Sequence, residues 1–267
     1  MTYETGETYE TYEVTADQVH IPRSDSSAPM AAYVARPIDH PGTTPRPAIL
    51  IGAELWGLTD QVRALTRDVA ALGYVAVAPD LYHRAGQDTG NGFAESDENR
   101  TRAFELVSQL TRDGVESDLR AALAHAATHA GAHADKAGML GFSLGGHVTY
   151  FAASRLPLAA AAIYYPGWLT EPGTALSRPD ALLSATYAIA GHDTRVRLFF
   201  AELDHVIDAG QREETAAALT ASGVRHDITV YPGAQHAFFV PGRPAYAKAA
   251  AEDSWGRVAA LFAEELG

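Results

Sequence analysis

"GMLGFSLGGH", residues 138–147, is the stretch on which the reading of this chain turns. It contains the pattern Gly-x-Ser-x-Gly at Gly141, Ser143 and Gly145. The apolar run "AGMLGFS" (137–143) precedes it and a helical pattern over 144–154 follows. A serine between strand and helix, with glycine two residues to either side, occupies a turn too sharp for larger neighbours. The turn lifts the hydroxyl to the end of the sheet and sets it at a helix N-terminus. There the backbone N–H of Leu144 faces any oxyanion that develops. The plainer alternative is a corner where the backbone only needs room.

A serine alone is a poor nucleophile, so the chain must also supply a base. On such a turn the order along the chain is serine, then carboxylate, then histidine. After Ser143 come His192, His205, His226 and His236. His236 lies in "YPGAQHAFF", just past the last strand-like run and before the final helical pattern, where the base belongs. His226 precedes that run, and His192 falls in an irregular stretch. The acid should end the preceding strand, which selects Asp204 in "RLFFAELD". Its carboxylate would orient the imidazole and stabilise the imidazolium. Glu202 and Asp193 are rivals for that role, and Asp208 is better placed to cap the helix that follows.

Outward from this motif, apolar runs alternate with helical patterns. "AAYVARP" (31–37) reads as an early strand. "PAILIGAE" (47–54), "YVAVAPDLY" (74–82), "AAAAIYYPG" (159–167), "VRLFFAELD" (196–204) and "HDITVYPGA" (226–234) are nearly continuous apolar runs. Such runs suit strands buried on both faces, as in a parallel sheet. Helical patterns cover 59–72, 98–111, 115–130, 144–154, 209–222 and 244–265. The alternation predicts an α/β fold, a mostly parallel central sheet of about 7–8 strands with helices on both faces. Residues 14–267 read as a single domain. The first residues, repeating Thr-Tyr-Glu, read as a flexible acidic tail over 1–13 or as an added edge strand.

The 267 residues are 47% apolar, enough for a sizeable core. The formal charge is −13, and Lys136 and Lys248 are the only lysines. An acidic surface without a basic run argues against nucleic-acid partners and anionic lipid. No apolar run reaches the roughly 20 residues of a membrane span, and the N-terminus carries no secretory pattern. Cysteine is absent, which excludes disulfides, thiolate nucleophiles and Cys-ligated zinc. These features suit a cytoplasmic protein. His125, His129 and His133 recur at metal-ligand spacing, but no acidic residue interleaves them, so they read as a solvated helix face. Trp255 and Phe262 read as the buried stripe of the last helix.

Together, "IGAELWGL" (51–58), "APDLYHR" (78–84), "GFSLGG" (141–146), "YYPG" (164–167), "ELD" (202–204) and "YPGAQHAF" (231–238) are specific. Over residues 30–265 the chain resembles the dienelactone hydrolase family, with its α/β-hydrolase fold. The resemblance implies that Glu54 enters the active site and that the Leu55 N–H joins that of Leu144 in an oxyanion hole. It also makes Arg84 a carboxylate-binding residue. In a serine enzyme, Glu54 would serve for positioning, by pairing with Arg84 or by bonding a substrate hydroxyl. The chain departs from the family in three places. Serine replaces the usual cysteine, Val240 takes a second carboxylate-binding arginine's position, and Asp88 replaces a tyrosine. The stretch 168–194 is also long for the family.

The reading that follows is a serine hydrolase for a small ester or lactone, through an acyl-enzyme, with no cofactor or metal required. Two alternatives stand beside it. The same triad serves acyl transfer, cyclisation or C–C cleavage in a biosynthetic pathway, or the fold serves only for binding. Substrate identity and oligomeric state have no signature in the sequence.

Overall fold

The central apolar runs form strands because they can be covered on both sides; the run at 226–234 departs from that expectation, because it supplies an edge strand in which only Tyr231 is buried. In the computed structural model, which describes residues 11–25, 28–38, 45–85 and 89–267, every residue of β4 (Val75–Pro79) and β6 (Ala160–Tyr164) is buried. The remaining strands are β1 (Val14–Ile21), β2 (Met30–Pro37), β3 (Arg46–Gly52), β5 (Ala132–Phe142), β7 (Arg195–Ala201) and β8 (His226–Tyr231). The helices are α1 (Asp60–Ala71), α2 (Asp97–Ser108), α3 (Arg112–His129), α4 (Leu144–Arg155), α5 (Thr186–Gly191), α6 (Ala209–Ala221) and α7 (Lys248–Leu266). The strand order is β1-β2-β4-β3-β5-β6-β7-β8.

The described chain packs as two compact units, residues 11–138 and 139–267, and β5 runs from one into the other. In the first unit, β3 and β4 are parallel, whereas β2 is antiparallel to both β1 and β4. In the second, β6, β7 and β8 are all parallel. The mostly parallel sheet with helices on both faces is the arrangement expected from the sequence.

Some boundaries differ, each for a physical reason. β1 has no apolar alternation because, as an edge strand, it is largely exposed or half-buried, so its pattern carries no strand signal. The acidic stretch 1–13 lies mostly outside the described residues; Tyr12 is described, and its N–H donates to the Ala71 carbonyl at 2.9 Å. Helix α3 begins at Arg112, ahead of Gly114, because the Thr111 hydroxyl accepts the Gly114 N–H and caps the first turn. The stretch 168–194 folds into short 3₁₀ turns and α5. Trp255 and Phe262 are buried on α7.

Candidate active site

β5 ends at Phe142 and α4 starts at Leu144, leaving Ser143 alone at the corner with φ 53° and ψ −112°. A non-glycine residue rarely adopts positive φ, and it persists only where the surroundings impose it. They do so here. The Ser143 N–H donates to the Tyr164 carbonyl at 3.0 Å, and the Ser143 carbonyl accepts the His147 N–H at 3.0 Å. A Cβ on Gly141 would lie 2.1 Å from the Gly145 carbonyl oxygen and 2.3 Å from Thr149 Oγ1, so only glycine fits there. As the first residue of α4, Leu144 has an N–H with no partner within the helix.

His236 sits on the loop after β8 and is nearly buried. Its Nε2 is 3.0 Å from Ser143 Oγ. Its Nδ1 lies 3.0 and 2.9 Å from the two carboxylate oxygens of Asp204. A carboxylate accepts, so Nδ1 carries the hydrogen and Nε2 turns its lone pair to the serine hydroxyl. The Asp204 side chain is 0% exposed, and its Oδ1 also accepts the Val206 and Ile207 N–H groups at 2.8 and 3.1 Å. Ser143, Asp204 and His236 therefore form one continuous hydrogen-bonded line within the second unit. The Tyr165 ring packs 4.9 Å from the His236 ring, and the exposed His205 ring meets it edge-on at 5.7 Å.

The rival residues are engaged elsewhere. Glu202 Oε2 accepts the Gly233 N–H at 2.8 Å, and Leu203 N–H donates to the Ala234 carbonyl at 2.9 Å. These bonds stitch the acid's loop to the histidine's. Asp193 forms an exposed pair with Arg225, 2.9 Å away. His226 Nδ1 bonds the Val224 carbonyl. Asp208 caps α6 in a capping box with Gln211. Sequence reasoning passed over Arg212 of α6, whose guanidinium donates to the Ala201 and Ile207 carbonyls at 3.2 and 3.0 Å. It thereby clamps both ends of the segment that carries Asp204. An arginine one turn into the helix after the acid was the only available signal.

Glu54, Leu55 and Arg84 belong to the first unit. Glu54 follows β3 and is half-buried; its carbonyl accepts the Gly57 N–H at 3.1 Å. The Leu55 carbonyl accepts the Tyr82 hydroxyl at 3.1 Å. The expected pairing of Arg84 with Glu54 gives way to another. Arg84 stands on a 3₁₀ turn (His83–Ala85), where Nε and Nη2 donate to the two oxygens of Asp118 at 3.3 and 2.5 Å. Its Nη2 also lies 2.8 Å from Asp25. Asp118 on α3, itself buried, draws in Arg23 and His83 as well, each at 3.1 Å. The position of Asp88 lies outside the described residues. Val240 is buried.

His125 and His129 stack on α3 with centroids 4.6 Å apart, and His133 lies beyond the helix on β5. Burial and the neighbouring His129 lower the His125 pKa. Among the described residues no cluster of His, Cys, Asp or Glu could hold a metal ion, and no helix is long and apolar enough to cross a membrane.

Known proteins share this architecture. A relative from Synechocystis, named "Putative carboxymethylenebutenolidase", is 32% identical over 244 residues, covering 89% of this chain and 92% of its own. A relative of the same name from Escherichia coli K12 is also 32% identical, over 89% of this chain and 83% of its own. A solved structure from Klebsiella pneumoniae, a "Putative Dienelactone Hydrolase", superposes with a TM-score of 0.83. It is 30% identical and covers 94% of this chain and 99% of its own. The family model described as "Dienelactone hydrolase family" matches residues 30–266. With the α/β-hydrolase architecture and near-complete coverage by such relatives, the chain belongs to the dienelactone hydrolase family, hydrolases of the ester and lactone type.

Proposed function

We propose that this chain is a serine hydrolase that cleaves a small ester or lactone through an acyl-enzyme. The observation that carries the reading is the line from Ser143 Oγ through His236 to the buried Asp204. Ser143 Oγ attacks the substrate carbonyl carbon while its proton passes to His236 Nε2. Asp204 holds the ring and stabilises the imidazolium. The Leu144 N–H faces the oxyanion; such a donor is typically worth ~3 kcal/mol in the transition state. The resemblance assigns a second donor to the Leu55 N–H. The imidazolium then gives its proton to the leaving alkoxide. Water, deprotonated by His236, attacks the acyl carbon; the bond to Ser143 Oγ then breaks, the imidazolium returns its proton to that oxygen, and the acid leaves. The lack of cysteine suits a cytoplasmic enzyme.

The test is covalent. A fluorophosphonate probe should label the protein once, at Ser143, and labelling should be blocked by turnover of a p-nitrophenyl ester or lactone from a small panel. Label on another residue, or none, sinks the reading.

The partners of Arg84 bear on the substrate. Its fork is taken up by Asp118 and Asp25, and a buried valine stands at the second arginine position. A bidentate arginine is what normally clamps a carboxylate. The enzyme should therefore prefer neutral esters or lactones over carboxylate-bearing dienelactones. The measurement is kcat/KM for a carboxylate-bearing lactone and its neutral analogue, in wild type and Arg84→Met. A strong wild-type preference for the anion, lost in Arg84→Met, would overturn the expectation.

A further inference from the structure

His147 lies one turn beyond Ser143 on α4. Its side chain takes no part in the proton line and is 0% exposed. Both ring nitrogens are committed. Nδ1 is 2.9 Å from the Gly167 carbonyl oxygen, which only accepts, so Nδ1 carries the hydrogen. Nε2 accepts the Leu176 backbone N–H at 3.2 Å. These partners suit only the neutral ring protonated at Nδ1.

Both partners belong to the segment that leaves β6, and this segment touches every element that carries the triad. A Cβ on Gly146 of the nucleophile helix would lie 3.4 Å from Pro166 Cα. Tyr165 packs on His236. A Cβ on Gly167 would lie 3.5 Å from Val206 Cγ1, on the loop of Asp204. The Trp168 ring meets the His147 ring edge-on at 6.0 Å. Tyr165, Trp168 and Ala175 have φ of 36°, 59° and 45°, a conformation that side chains adopt only when held. Further along α4, the buried Tyr150 hydroxyl donates to Thr186 Oγ1 at 2.6 Å and fastens the later part of the same excursion.

We propose that His147 is a positioning residue that fixes the Gly167–Trp168 wall of the substrate site from the nucleophile helix, and so determines which esters fit. The proposal rests on the serine hydrolase reading. It gives the long 168–194 stretch a purpose, with His147 and Tyr150 as its two anchors.

The experiment combines a substrate panel with two readouts independent of turnover. In long-range ¹H–¹⁵N spectra of the wild type, one histidine, assigned by its loss in His147→Asn, should show a protonated Nδ1 and a bare Nε2. In His147→Phe, which fills the space but bonds neither partner, the Leu176 amide should exchange roughly tenfold faster or more. The same variant should raise KM for the bulkier esters roughly tenfold while kcat changes less than about threefold. His147→Asn retains a donor for Gly167 and should stay within about threefold of wild-type KM. A ring protonated at Nε2, or a folded His147→Phe with unchanged KM across the panel and unchanged Leu176 exchange, overturns the proposal. Failure of the hydrolase reading itself shows differently, as a Ser143 that takes no fluorophosphonate label.

Discussion

Ser143→Ala should leave the protein folded and lower kcat on its best ester by roughly 10⁵-fold or more, the scale seen when a triad nucleophile is removed. The Ser143 side chain makes one bond, to His236, whereas the bonds that shape its corner are backbone bonds. Alanine keeps those backbone bonds and the same Cβ at φ 53°, so the turn survives while the attacking oxygen is gone. What remains is binding and the oxyanion donor, which act without covalent chemistry. The check is steady-state kinetics beside a melting curve. A variant that stays folded and keeps near wild-type kcat would remove Ser143 from the mechanism and end the acyl-enzyme reading.

Asp204→Asn should cost roughly 10⁴ in kcat with little change in stability. An asparagine Oδ1 can still accept the Val206 and Ile207 N–H groups, so the loop holds its course. Its amide nitrogen, however, presents a donor to His236 Nδ1 and drives the ring hydrogen to Nε2. His236 then meets the serine hydroxyl with a hydrogen instead of a lone pair. Asp208→Ala makes the control: it removes the cap of α6, costs about 1 kcal/mol of stability and leaves kcat alone. Finding the large rate loss at Asp208 or Asp193 instead would reassign the acid.

The two outcomes concern residues that could be chosen from sequence because their signals are local. A sharp turn demands glycine at 141, and chain order then orders the remaining candidates. The structure brings Ser143, Asp204 and His236 into one line; it also gives Glu202 to Gly233 and Asp208 to α6. What could not be read depends on distance along the chain. Arg84 finds Asp118 across 34 residues, and nothing near either residue announces the other. Arg212 acts on carbonyl groups, which every residue has, so its role leaves no trace in composition. Edge strand β1 was silent for a different reason: a strand facing water has no need of alternation.

The backbone around the triad has a consequence for how such a protein changes over generations. Ser143, Tyr165 and Ala237 all hold positive φ, at 53°, 36° and 65°; they are the serine, the residue whose ring rests on the histidine, and the residue after that histidine. Each such residue costs of order 1–3 kcal/mol against an unstrained backbone. Glycine at 237 would relieve that cost and slacken the histidine's seat, whereas glycine at 165 would also remove a fully buried ring and lose more than it relieves. Selection for endurance alone would drift position 237 towards glycine, and selection for turnover would resist it. On the serine hydrolase reading, the compromise between longevity and speed is written into the backbone angle next to His236.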